Sequence, residues 1–324
     1  MKRRGGTMIN EILLALGIAS FFPMVVGVSL IFDGVDRKLH ARMQNRVGPP
    51  LLQPFYDIIK LFGKEQLVPE TSAKSIFVTA PLVAVACPIV SSVMTVVIAT
   101  LHIRVEGDIV LMIYLLTMPA LMFAVAGASS GNPYGAIGFS RAILLIISYE
   151  LAMIMSLLLA VLKTGTALAS YAVIEAQYSL GNALALSYPS MFVAALVFLS
   201  CIPAAMSVVP FDTPVAKTEI AHGTLIEYTG SNLAFMKLAK SVLCFNLTFL
   251  ATVVFFNQPI LFSWFPGALS LIPRMGVALL LMVITVTLPR TVLARSKPHQ
   301  VLDFYWKIST PLVFLAAILV VMNL

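Results

Sequence analysis

Glu150 lies in "IISYELAMIM", about ten residues from either end of an apolar run from Ala142 to Leu162. A charge at that depth costs about 2.5 to 3.5 kcal/mol even on a lenient insertion scale, so a carboxyl kept there needs a partner or a task. A second concentration of acids, Asp212, Glu219 and Glu227, occupies "VVPFDTPVAKTEIAHGTLIEYTG" among two prolines and two glycines. Such residues break helix continuity, and irregular backbone near the membrane is tolerated only when packed in protein or lining a wet cavity. Carboxylates in poorly solvated sites have raised pKa values and change protonation near neutral pH, while nearby Lys and Arg pull them back. The expected chemistry is therefore proton-responsive coupling, with Glu150, Glu219 and Glu227 as one group and Asp212 and Arg141 setting its field. The plainer alternatives are a single polar residue satisfying a neighbouring helix, for Glu150, and a solvated loop, for the others.

The elements that must position these groups follow from composition. The 324 residues are 60% hydrophobic and 11% charged, with mean hydropathy +0.98, whereas soluble domains carry about 25% charged residues. Runs of roughly 20 apolar residues span a bilayer, and eight are found: Ile9 to Phe32, Ile76 to Leu101, Ile109 to Ala128, Ala142 to Leu162, Pro189 to Val209, Leu238 to Phe256, Ala268 to Leu288 and Ile308 to Met322. Pro273 and Arg274 interrupt the start of the seventh. The fold class is an all-α polytopic membrane protein, residues 1–324 forming one integral membrane domain with loop 1 at about 33–75 and loop 5 at about 210–237. No internal repeat or low-complexity tract is visible. "MKRRGG" precedes the first run, but that run is too long for a signal peptide and no small-residue cleavage site follows it; Met8 is an alternative start to Met1.

Of the 21 Lys and Arg, all but six lie in odd-numbered loops or at their edges. The exceptions are Lys2, Arg3, Arg4, Arg104, Lys163 and Arg274. The positive-inside rule then places the odd loops in the cytoplasm and both termini outside, which accounts for the net charge of +7 without nucleic acid as a partner. Cys87, Cys201 and Cys244 each stand alone in apolar segments, and the four histidines show no haem or metal spacing. Iron-sulfur and zinc sites need several such ligands together, so redox chemistry is expected on another chain.

Loop 1 is the most polar stretch. In "RVGPPLLQPFYDIIKLFGKE", Leu52, Phe55, Ile59 and Phe62 fall at helical spacing while Asp57, Lys60 and Lys64 take other faces. This is an amphipathic helix for the membrane surface or a partner. Asp57 and Lys60 are spaced to pair, and "GPP" at 48–50 sets a bend before the helix. Asp36, Arg37, Arg42, Arg46, Asp57, Lys60, Lys64 and Glu65 are the candidate docking residues for a soluble subunit.

Three segments carry a family resemblance. "DRKLHARMQNRVGPPLLQPFYDIIKLFGKE" resembles the first cytoplasmic loop of the H subunit of respiratory complex I and of its counterpart in group 4 membrane-bound nickel-iron (NiFe) hydrogenases. "GFSRAILLIISYELAM" resembles the fourth-helix motif of that family and "PFDTPVAKTEIAHGTLIEYTG" its loop 5 motif. The chain departs from the quinone-reducing branch: it lacks the glycine-rich residues after "RVGP", has Phe55-Tyr56 before the aspartate, and carries Ala205, Val208, Val215 and Lys217 where that branch has charged or acidic side chains. The resemblance, with these departures, implies a membrane anchor of hydrogenase type with no catalytic residue, cofactor or metal of its own. It implies NiFe and iron-sulfur clusters on partner chains, namely hydrogenase-like large and small subunits and a ferredoxin-like iron-sulfur subunit, with antiporter-like neighbours in the cell membrane. The alternatives are the H-type anchor of a quinone reductase, the same anchor in a sulfur-reducing relative, a secondary transporter, which predicts an internal symmetry not seen, and a purely structural anchor. Which substrate the partners reduce, and which ion moves, is left open by these residues.

Overall fold

The computed structural model describes residues 2–101, 105–165, 168–259 and 267–322, with side chains described from residue 20 onward except at 267 and 268. In chain order the elements are α1 (Lys2–Met43), α2 (Gln53–Phe62), α3 (Lys74–Leu101), α4 (Asp108–Ser129), α5 (Pro133–Thr164), α6 (Ser170–Leu180), α7 (Leu184–Ser187), α8 (Pro189–Ala205), α9 (Lys217–Ile220), α10 (Gly230–Val254), α11 (Leu271–Val292) and α12 (Pro298–Val321). No strand occurs among the described residues.

Six of these helices, α3, α4, α5, α10, α11 and α12, are long and apolar enough to cross a membrane, and α8 is a shorter apolar helix. They carry seven of the eight expected runs. The remaining run, Ile9 to Phe32, falls on α1 and lies partly outside the residues whose side chains are described. Hydropathy locates apolar centres and not helical ends, so several helices extend past the expected bounds. Thus α5 begins at Pro133, where the Asn132 side chain accepts from the Tyr134 N–H at 2.9 Å and proline suits the first turn. In contrast α8 stops at Ala205, where Ser207 takes φ 49°. Pro273 sits in the first turn of α11, which is why it does not break that helix.

The bundle is closed by small residues, as expected where lipid tails are as apolar as the helices and packing drives association. Ala80 and Ala84 on α3 and Ala234 and Ala239 on α10 are all buried. Helices α11 and α12 each contain one π-turn, at Val283–Thr287 and Tyr305–Ser309.

The loops sort into two ends. At one end Ala73 donates to the Ser129 carbonyl at 3.0 Å, Leu67 to the Thr229 hydroxyl at 3.1 Å, and Ser296 to the Pro210 carbonyl at 3.0 Å, so loops 1, 3, 5 and 7 meet. At the other end Gln177 donates to the Val254 carbonyl at 2.5 Å and Arg274 to the Ala99 carbonyl at 2.6 Å. The alternation inferred from charge therefore appears as a physical grouping of loops. Arg274, expected only as an interruption, is 1% exposed and also donates to Ser270 and Asn257.

Candidate functional site

The end where the odd loops meet holds a charged cleft of about 180 Å³. Helix α1 supplies Asp33, Asp36 and Arg37, which a 3.6-residue period puts on one face. Helix α10 supplies Lys237, Lys240, Ser241 and Cys244 by the same spacing, and α11 brings Arg290 in its last turn. Met206 and Val208 close the side toward loop 5.

Arg37 bridges two acids, donating to Asp33 and to Asp57 at 2.6 Å each. Buried Asp36 accepts from Arg290 at 2.7 Å and from the Thr287 hydroxyl, on the α11 π-turn, at 2.7 Å. Charge-assisted bonds of this kind are about twice as strong as neutral ones. Burial pushes the Asp57 carboxyl up, but hydrogen bonds from Arg37 and Gln53 outweigh it and hold the group below its ordinary value. The expected Asp57 to Lys60 pair does not form. Arg37 reaches Asp57 first because α2 folds back over α1, where Gly34 leaves room: a Cβ there would stand 2.1 Å from the Leu51 carbonyl oxygen.

The docking candidates thus divide. Asp36, Arg37 and Asp57 are engaged in intramolecular pairs. Arg42, Arg46, Lys60, Lys64 and Glu65 are exposed, with no ion pair among the described residues. The apolar face of α2 is only partly covered: Phe62 meets Phe235 edge-on at 5.3 Å, while Ile59 is 67% exposed and Val47, just before the helix, 94%.

Loop 5 folds inward against α4 and α5. Gly138 permits it, because a Cβ there would meet the Thr224 nitrogen at 2.6 Å. Tyr228 stacks on Phe77 at 4.2 Å and donates to the Phe77 carbonyl at 3.2 Å; burial pushes its phenol up to about 12. Each acid of the loop has its own partner. Asp212 pairs with Arg295 at 2.6 Å, Glu219 pairs with Arg141, and Glu227 accepts from Asn132 at 2.6 Å. Burial raises the Asp212 carboxyl above its ordinary value, Arg295 opposes that, and Glu219 adds to it. Asp212, Glu219 and Arg141 are therefore neighbours in one electrostatic system.

Glu150 is placed differently. It is half-buried on α5, and among the described residues it has no hydrogen bond or ion pair. The loop 5 glutamates are not joined to it directly, because Arg141 and Asn132 have already engaged them. Its neighbours Ile147 and Leu151 are 56% and 39% exposed, so the carboxyl sits at the edge of an outward-facing stripe.

Sequence reasoning missed Asp33, Lys237, Lys240 and Arg290 as members of the cleft. The available signal was Lys240, a lysine inside the run starting at Leu238 whose charge bears on more than orientation. Among the described residues no group of three or more His, Cys, Asp or Glu side chains converges. What converges is paired charge, four cations and two carboxylates around one cavity.

A family model for NADH dehydrogenase matches residues 16–321. The H subunit of the NADH-quinone oxidoreductase of Geobacillus kaustophilus is 30% identical over 319 residues, covering 94% of this chain and 92% of that one. Hydrogenase-4 component C of Escherichia coli is 33% identical over 216 residues, 64% of each chain. Among solved structures, a chain of the archaeal membrane-bound sulfane sulfur reductase superposes with a TM-score of 0.79 at 25% identity, covering 94% of this chain and 98% of that one.

Proposed function

The chain belongs to the NADH dehydrogenase family, as a membrane protein like the H subunit of complex I, and from that membership we propose that it is the anchor and coupling subunit of a membrane-bound hydrogenase-type complex. In this role it docks peripheral redox subunits and links their electron transfer to movement of protons or sodium. Loops 1, 3, 5 and 7 face the cytoplasm and both termini lie outside. The catalytic NiFe centre and the iron-sulfur clusters reside on hydrogenase-like and ferredoxin-like partners, and antiporter-like subunits lie alongside in the membrane.

The observation that carries the coupling half is Glu150. A carboxyl at the middle of a spanning helix, beside exposed Ile147 and Leu151 and without a partner among the described residues of its own chain, costs too much to face lipid. A neighbouring membrane subunit must therefore cover it. The docking half is supported by the exposed cations of loop 1 beside the uncovered apolar face of α2, since a charged rim around an apolar centre is how protein interfaces are built. The hydrogenase branch is favoured over the quinone branch by apolar Ala205 and Val208 where the latter carries charge; Val208 lines the cleft.

A photo-crosslinking residue at Ile147, in the intact complex, tests the reading. Capture of another membrane subunit is expected. Capture of lipid alone would show that α5 ends the assembly there, and the coupling role would fall.

A further inference from the structure

Lys240 lines two cavities. One is the charged cleft, where it stands with Asp33, Asp36, Arg37, Lys237 and Arg290. The other is a small cavity of about 10 Å³ between α4, α5, α10 and loop 5, whose walls include Phe123, Tyr149, Ser207, Pro214 and Thr224. The Lys240 Nζ stands 5.1 Å from the centre of the Phe123 ring, an arrangement that attracts a cation to the ring face.

Two hydroxyls line this small cavity and satisfy nothing else. Tyr149 and Thr224 are each 1% exposed, and neither Tyr149 Oη nor Thr224 Oγ1 has a hydrogen-bond partner among the described protein atoms. Leaving a buried hydroxyl unpaired is unfavourable, and two such groups around one void make it a natural place for a bridging water. The void is about the size that centres one water molecule, and a buried water needs two to four polar partners. Tyr149, Thr224 and Lys240 supply three.

We propose that Tyr149, Thr224 and Lys240 hold one buried water molecule, and that Lys240 thereby links the charged cleft to α5 beside Glu150. The water donates to one hydroxyl and accepts from the other and from the ammonium. Lys240 is a positioning residue: it lines the cleft beside Asp33, Asp36, Arg37 and Lys237 and feels the charges of Asp212, Arg290 and Lys217, so a charge change among these groups shifts how firmly its ammonium holds the water. Tyr149 immediately precedes Glu150 on α5, so the link reaches the helical turn that carries the coupling acid. This inference rests on the coupling role proposed above.

Two measurements on the intact complex test it. Cryo-electron microscopy fine enough to show ordered water is expected to reveal one density within hydrogen-bonding distance of both hydroxyls, and a parent cavity without it overturns the site. The second is the number of ions moved per electron transferred, in which changes of turnover cancel. Tyr149→Phe with Thr224→Val removes both oxygens while keeping shape, and Lys240→Met removes the charge; each is expected to lower the ratio to less than half the parent value, while Lys240→Arg retains most of it. If Lys240→Met fails to assemble, the hydroxyl variants decide. A parent ratio in them removes the link. Glu150→Gln in the same series separates the two ideas: a lost ratio there with a parent ratio in the hydroxyl variants removes only the water link, whereas a parent ratio in Glu150→Gln removes the coupling role itself.

Discussion

Replacing Arg37 with methionine should unseat helix α2. Arg37 makes two charge-assisted bonds of 2.6 Å, to Asp33 on its own helix and to Asp57 on α2, and the three side chains are 31%, 24% and 30% exposed. Fully exposed pairs contribute about 0 to 1 kcal/mol, and breaking a buried pair costs about 3 to 5 kcal/mol. At this intermediate burial about 1 kcal/mol per bond is a fair figure, and only the bond to Asp57 joins α2 to α1, because Asp33 and Arg37 both lie on α1. That corresponds to a ~5-fold larger population with α2 detached. Tryptic cleavage after Lys60 and Lys64 reads the population directly when reclosing is faster than cutting, so the variant purified in detergent should be cut ~5-fold faster in loop 1 than the parent, by the same free-energy conversion. Asp57→Asn, which keeps a neutral acceptor for Arg37 on the same bond, should speed cutting by no more than Arg37→Met does. The pH dependence has a definite sign. The Asp57 carboxyl is held below its ordinary value of 3.8, so its stabilisation is complete above that value and is lost only as pH falls through the lower folded value. Hydrogen-exchange protection of α2, measured against the intrinsic rate at each pH, should accordingly be unchanged down to about pH 5 and fall below about pH 3.8. An Arg37→Met protein cut no faster than the parent would show that α2 is held by its apolar contacts alone, such as Phe62 on Phe235, and that the ion pairs are incidental.

Charge reversal at Arg46 and Lys60 together should release a soluble redox subunit during purification while the membrane subunits stay assembled; retention of an active complex would make loop 1 an ordinary solvated surface. A cysteine placed at exposed Lys64 should react with an impermeant thiol reagent only from the cytoplasmic face. Labelling from the outer face alone would invert the topology.

Much of the architecture was legible because the bilayer imposes it. An apolar run must be helical where no water can pair with the backbone, and seven runs reappear on α3, α4, α5, α8, α10, α11 and α12. Helix ends were not legible, since the polar turns that extend α5 to Pro133 and α12 to Pro298 carry no hydropathy signal. Nor were α6 and α7, short helices in the segment between α5 and α8. For the site, residue identity was readable and pairing was not. Asp57 was expected to pair with Lys60, three residues along its own helix, but a fold that lays α2 across Gly34 puts Arg37 closer. Glu219 was expected beside Glu150, yet Arg141, less than two turns before the point where the outward stripe of α5 starts at Ile147, engages it first. The cleft itself needed α1, α10 and α11 to converge, a contact that no single stretch of sequence encodes.

On the reading proposed above, an acid in the middle of α5 links distant electron transfer to ion movement. It is tested most directly by ions moved per electron in sealed vesicles carrying the complex with Glu150→Gln, a change that keeps size and hydrogen bonding but removes the titrating proton. The variant complex should assemble and still pass electrons from an artificial donor while its ion-to-electron ratio collapses. An assembled Glu150→Gln complex with the parent ratio would contradict it.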